Sequence, residues 1–183
     1  MKTSVLYDAA STDAAGGKHE KLLLLIRHAK SSWNDAAQRD FDRPLNDRGN
    51  KDAPAMAKRL IDKNVTIDAF ISSPANRALT TAIFFAKAYN ISAGAIIQKP
   101  ELYHAGIPVF YNVIQHADDA CNTIAVFSHN PGITEFINDL EIVRLDDMPT
   151  CGIIGITVDA GSWKDFKIAN KKLSFFDYPK AIQ

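Results

Sequence analysis

Leu22-Leu23-Leu24-Leu25-Ile26, closed by Arg27-His28, is the stretch whose reading decides the fold. Five consecutive apolar residues are far too few to cross a bilayer. They do not alternate with polar residues, so they are expected to be buried on both faces, as in a central strand of a parallel sheet. The run stops abruptly at a guanidinium and an imidazole. In parallel sheets ligands bind at the carboxyl ends of the strands, so this is where a site is expected.

Working outward, the same punctuation recurs. Ile67–Ser72 reads as a second buried strand and Thr123–Ser128 as a third. Ala95–Gln98 is a weaker strand. Between them Ala53, Met56, Ala57, Leu60 and Ile61 recur at helical spacing, with Asn46 or Asp47 as cap and Pro54 expected to kink the helix or delay its regular part. Ser73-Pro74 and Asn130-Pro131 read as cap-and-proline helix starts. A short helix is expected over Pro108–Ala117. Ile153–Val158, Trp163–Ile168 and Lys171–Phe176 look like closing strands near an edge. Strands alternating with helices imply an α/β fold: three layers, with a mainly parallel central sheet covered on both faces. Residues 1–20 lack a clear period and read as a loose N-terminal extension, leaving residues 21–183 as a single domain.

Composition narrows the function classes. Lys+Arg and Asp+Glu both total 21, so the net charge is zero, which gives no support to general nucleic-acid or membrane-surface binding. Lys2 is followed by no continuous apolar stretch like that of a secretory signal. Cys121 and Cys151 have no motif spacing and read as reduced thiols of a cytoplasmic protein.

Three polar clusters fall at strand ends: Arg27-His28, Ser73 to Arg77, and Ser128-His129. Side chains on a helix lean toward its N-terminus, so Arg77 should point back over the sheet edge. Two guanidiniums, two imidazoles and helix N-terminal N–H groups would then converge, a set suited to a dianionic phosphoryl group. The clusters hold no acidic group suited to Mg²⁺, so the expected chemistry needs no metal and no cofactor. Singly, each residue has an ordinary reading as a satisfied structural histidine or a surface arginine. Their joint placement carries the functional one.

The same residues carry a resemblance. Arg27-His28-Ala29-Lys30, Arg43-Pro44-Leu45-Asn46-Asp47-Arg48-Gly49, Ser72-Ser73-Pro74-Ala75-Asn76-Arg77-Ala78 and Ser128-His129-Asn130-Pro131-Gly132 resemble, in order, the motifs of the histidine phosphatase superfamily. That superfamily includes the phosphoglycerate mutases, and the wording looks most like its SixA-type phosphohistidine phosphatases. The resemblance implies a phosphoglycerate mutase-like fold and a phosphatase acting through a phosphohistidine. It makes His28 the nucleophile, with Arg27, Arg77 and His129 holding the phosphoryl oxygens, and Asn34 a further phosphate contact. Ala29 replaces the usual glycine, a change tolerated unless the position needs a positive φ. Glu101 is the candidate general acid, or else a solvated loop carboxylate, with Asp40 and Asp42 as weaker alternatives. The expected partner is a phosphorylated substrate, with a phosphohistidine-bearing protein as a candidate. A small-metabolite phosphatase or mutase, and a non-catalytic phosphate-binding module, are the competing readings.

Overall fold

The computed structural model describes residues 20–33 and 37–181. The expected N-terminal extension and Asn34 therefore lie outside the described residues, apart from Glu20. Six strands form one sheet in the order β3-β2-β4-β1-β5-β6. They are β1 (Glu20–Arg27), β2 (Ala69–Ser72), β3 (Ile97–Gln98), β4 (Thr123–Ser128), β5 (Ile153–Asp159) and β6 (Asn170–Asp177). The first four run parallel, and β5 and β6 add antiparallel strands at one side. This is the mainly parallel α/β architecture that the sequence predicts.

Helices α1 (Asp47–Asp62), α2 (Asn76–Ala88), α3 (Ile107–Gln115) and α4 (Gly132–Asp139) cover the sheet. The pleat of the central strands sorts the core into two layers. Leu24 and Ile26 of β1, with Ala125 and Phe127 of β4, pack with Ala53, Met56 and Leu60 of α1 and Phe85 of α2. Leu23 and Leu25, with Ile124 and Val126, pack with Phe110 of α3, Phe136 of α4, Trp163 and Phe166. All of these side chains are fully buried, which is why β1 reads as an unbroken apolar run.

Four local expectations are corrected. Pro54 lies inside α1, which runs on through it. The Asn50 carbonyl that loses its helical partner there belongs to a solvent-exposed residue. Helix α2 begins at Asn76 rather than at Pro74, because the Ser73 hydroxyl caps no first turn and takes other partners described below. Helix α4 likewise starts only at Gly132, with Pro131 at its N-cap and the Asn130 side chain occupied elsewhere. Trp163–Asp165 is a short 3-10 turn instead of a strand. Asp119 accepts hydrogen bonds from both Trp163 N and Ser162 Oγ, and the indole Nε1 donates to Cys121 O. The turn is thereby pinned under the sheet, with its tryptophan inside the core.

Two glycines set how closely the loops near the strand ends approach the helices. A Cβ on Gly49 would stand 2.2 Å from the Lys30 carbonyl oxygen, and one on Gly132 would stand 1.8 Å from that of Ala105. Only glycine permits either contact. The loop after β1 is thus seated on α1, and the loop after β3 on α4.

Candidate active site

Strand register decides which residues meet. Arg27 is level with Ser128, and Ser72 with Phe127. The chain leaves all three strands at one height: His28 N donates to Ser128 O, and Ser73 N to Phe127 O. His28, His129 and the Ser73–Arg77 segment therefore emerge side by side at the carboxyl edge. The ring centroids of His28 and His129 are 5.1 Å apart. Arg77 Nε is 3.2 Å from His28 Nε2. His28, Arg77 and His129 are all buried.

The tautomer of His28 follows from its partners. Nδ1 lies 2.8 Å from the Ala29 carbonyl oxygen, which can only accept, so Nδ1 carries the proton. Nε2 keeps its lone pair and accepts from Arg77 Nε–H. Burial, set against the Ala29 carbonyl and joined by the charges of Arg77, Arg27 and Arg43, holds the ring far below the ordinary histidine value, at about 3. The imidazole is neutral, with Nε2 as its basic nitrogen. Ala29 adopts no positive φ, so the alanine fits, and its N–H donates to Thr81 Oγ1.

His129 is arranged differently. Its Nε2 lies 2.8 Å from Ser73 Oγ, and the same oxygen accepts from Ala75 N. The serine hydroxyl can donate to Nε2, which leaves Nδ1–H as a donor. Burial, with His28 and Arg77 nearby, pushes His129 down to about 2 despite the opposing charge of Asp40. Both His129 Nδ1 and Arg27 Nε are buried without a protein partner. Arg27 is anchored at its other end, where Nη1 donates to Asp147 Oδ2 and to Met148 O. Two orphaned donors beside a neutral imidazole suit an oxyanion.

Arg77 is fully engaged by a residue that the sequence marks only as a weaker candidate. Its Nη2 lies 2.9 Å from Asp40 Oδ2 and its Nη1 2.5 Å from Asp40 O. The Asp40 carboxylate also accepts from Arg43 Nη1 and Tyr103 Oη, each at 2.9 Å. Partial burial alone would raise this carboxyl. The hydrogen bonds from Tyr103 and Arg77, and the charge of Arg77, outweigh it and hold the group at about 2. Asp40 is therefore ionised at neutral pH and has no proton to give in this arrangement. Arg43 is itself buried, with Nη2 on Ser31 Oγ and Nε on Ser32 O.

The structure thus brings together Arg27, His28, Arg77 and His129, and adds Ser73, Asp40, Arg43 and Tyr103. Glu101 is not among them: it lies exposed on the 3-10 turn Pro100–Leu102, its carboxylate without a hydrogen bond or ion pair among the described residues. Ser73 and Arg43 stand inside the quoted motifs, so their wording could have flagged them. Tyr103 follows Glu101 by two residues and had no comparable signal. Among the described residues no group of three side chains is placed to hold a metal ion, and no helix is long and apolar enough to cross a membrane.

A sheet edge with a neutral, buried histidine flanked by arginines and a second histidine defines an oxyanion-binding, histidine-centred site. Residues 23–103 match the sequence model of the histidine phosphatase superfamily (branch 1). The fold is similar to that of a crystal structure from Agrobacterium tumefaciens assigned as the phosphohistidine phosphatase SixA. The two share 25% identity with a TM-score of 0.70, over 87% of this chain and 99% of that one. Residues 23–103 thus carry the sequence pattern of the histidine phosphatase superfamily, and the whole fold is SixA-like, with a phosphoglycerate mutase-like architecture. An uncharacterized chloroplastic protein of Arabidopsis thaliana is 28% identical over 158 residues, covering 78% of this chain and 69% of the relative. Phosphoserine phosphatase 1 of Hydrogenobacter thermophilus is 37% identical over 71 residues, 38% of this chain and 33% of that protein. The superfamily is one of phosphatases, and phosphatase activity is what these similarities support.

Proposed function

We propose that this protein hydrolyses phosphoryl groups through a covalent phosphohistidine on His28, without a metal ion, and that its preferred substrate is phosphohistidine borne by a protein. The observation that carries the reading is the neutral His28 ring, its Nδ1–H donating to Ala29 O and its Nε2 lone pair facing the Arg77 guanidinium. A dianionic phosphoryl group would take Arg77 from the Asp40 carboxylate and engage Arg27 Nε and His129 Nδ1. Nε2 then attacks phosphorus in line: the P–Nε2 bond forms as the bond to the leaving atom breaks, and the leaving group departs with that electron pair. The ring becomes cationic, and the Ala29 carbonyl stabilises it through Nδ1–H. Water next attacks phosphorus, the electron pair of the P–N bond returns to Nε2, and inorganic phosphate is released. Arg27, Arg77 and His129 neutralise the equatorial oxygens, the task a metal performs elsewhere.

The leaving group needs a proton. Glu101 is our candidate donor for alkoxide leaving groups, carried on the turn that leads into Tyr103. Among the described residues no buried carboxylic acid stands with Arg27, Arg77 and His129 around His28, which favours substrates whose leaving group needs little help, such as phosphohistidine. Cys121 and Cys151 are unpaired thiols, which suits the cytoplasmic setting we infer.

A turnover panel in excess EDTA tests this reading. Phosphohistidine peptide and para-nitrophenyl phosphate should be hydrolysed, and phosphoserine more slowly by ~10²-fold or more, the usual worth of a well-placed general acid. Loss of activity in EDTA that Mg²⁺ restores would overturn metal independence. A preference for phosphoserine or a sugar phosphate would favour a small-metabolite phosphatase, the reading to which the phosphoserine phosphatase relative points. No turnover at all would leave a phosphate-binding module.

The Asp40 carboxylate competes with substrate for Arg77, so Asp40→Asn should tighten inhibition by inorganic phosphate or vanadate. Partly exposed ion pairs are worth at most ~1 kcal/mol, so the expected gain is about two- to fivefold in Ki. Weaker inhibition in the variant would mean that Asp40 positions Arg77 instead of occupying it.

A further inference from the structure

A groove of about 390 Å³ opens beside Arg27, lined by Lys30, Arg48, Asp147, Tyr178 and Lys180 among others. Its charge is one-sided in a chain whose net charge is zero. Asp147 is the one carboxylate in the lining, and Arg27 holds it at 2.9 Å. Arg48 pairs with Asp52 at 3.2 Å. Lys30 and Lys180 are exposed and have no acidic partner among the described residues.

The walls are built rather than incidental. Arg59 fixes the segment after β6, donating from Nη1 to Tyr178 O at 3.0 Å and Asp177 Oδ1 at 2.9 Å, and from Nη2 to Pro179 O at 3.2 Å. On the opposite side the Lys30 carbonyl accepts from Asn46 N at 3.0 Å, which ties the base of that lysine to the start of α1. Arg27 belongs to both the groove and the site around His28, so the groove continues outward from the place where the phosphoryl group would sit. Its two unpaired lysines are carried by separate segments, Lys30 on the loop after β1 and Lys180 after β6. A compact phosphate needs convergent donors, whereas a row of carboxylates matches dispersed ones.

We propose that this groove binds the carboxylate-rich segment flanking the phosphorylated residue of a protein substrate, so that the enzyme selects acidic sequence around the phosphoryl group. The inference rests on the phosphatase reading above and specifies its substrate class. Phosphohistidine peptides with glutamate-rich and with neutral flanks would be compared in wild type and in Lys30→Glu/Lys180→Glu. In parallel, fluorescence anisotropy would follow a labelled glutamate-rich peptide carrying no phosphate. Wild type should favour the acidic flank about tenfold in kcat/KM at low salt, two exposed charge contacts being worth a few-fold each. The preference should fade in 0.5 M NaCl, on the order of the screening expected for exposed charges, and disappear in the double variant. Anisotropy should show the same loss of peptide binding. Equal use of both peptides by wild type would overturn the proposal, as would a preference that survives the double substitution. So would a small bisphosphate that displaces the labelled peptide and outperforms it as a ligand. The anisotropy measurement needs no turnover, and para-nitrophenyl phosphate needs no groove. A protein that binds the acidic peptide but hydrolyses nothing would sink the phosphatase reading alone, and one that hydrolyses para-nitrophenyl phosphate but ignores the flank would sink the groove alone.

Discussion

His28→Ala should abolish turnover while leaving the fold intact, and acid-labile phosphate should appear on wild type only after a single turnover quenched in mild base. The side chain supplies the bond-forming nitrogen, and no neighbour can replace it. His129 is the nearest imidazole, at 5.1 Å between ring centroids, but its Nε2 is tied to Ser73 Oγ and its Nδ1 is needed as a donor. Removing the nucleophile of a covalent hydrolase can cost roughly 10⁶-fold in kcat, so the residual rate should fall below ordinary assay limits. The substitution removes a buried but polar ring whose hydrogen bonds go to a backbone carbonyl and to an arginine. Arg77 keeps its two contacts to Asp40, so the site should hold together and still bind vanadate. Near-wild-type turnover in the variant, or phosphate trapped on it, would eliminate His28 as the nucleophile.

Such a prediction can be framed from sequence because the informative residues sit where chain direction leaves little freedom. Arg27-His28 and Ser128-His129 follow two adjacent parallel strands whose register the apolar runs almost dictate, and the match of Arg27 to Ser128 brings the imidazoles together. Arg77 was legible for a related reason, since a helix that follows a strand returns its first turn to the same edge. Contacts made across segments were not legible. Asp40, Arg43 and Tyr103 meet at one carboxylate, yet Tyr103 comes from a loop far along the chain from the stretch that carries Asp40 and Arg43, with no periodicity to relate the two. Ser73 shows a second limit. As Ser before Pro it carries the local signature of a helix cap, but tertiary demand overrides that propensity. Its hydroxyl serves His129, and α2 starts three residues later. Trp163 was misplaced for a similar reason, because its aromatic and flanking residues suit a strand while the hydrogen bonds of Asp119 make it a turn. Pro54 shows the converse, a local breaker overruled by the amphipathic face of α1, which buries Ala53, Met56, Ala57 and Leu60.

The same burial that keeps the imidazoles neutral should make the protein markedly acid-sensitive. In the unfolded chain each histidine titrates near its ordinary value of 6.5, whereas in the fold burial depresses His28 to about 3 and His129 to about 2. Below pH 6.5 the unfolded state therefore binds more protons than the native one, so stability falls as pH falls. The loss begins near 6.5 and continues down toward the folded values. At pH 5 it amounts to about 2 kcal/mol for each ring relative to pH 8, or about 4 kcal/mol together. That is a large share of the roughly 10 kcal/mol that holds a typical domain folded. Asp40 contributes in the same direction, but only from near its ordinary value of 3.8 downward, so the interval from pH 6.5 to 5 belongs to the histidines. Urea unfolding at pH 8, 6 and 5 should show the midpoint dropping steeply, with little change in slope. In a His28→Gln/His129→Gln variant, whose amides do not titrate, the midpoint should be nearly flat over the same interval. An equally steep fall in that variant would show that the acid sensitivity arises elsewhere, and a flat wild-type curve would mean that the two rings are far less shielded than their surroundings imply.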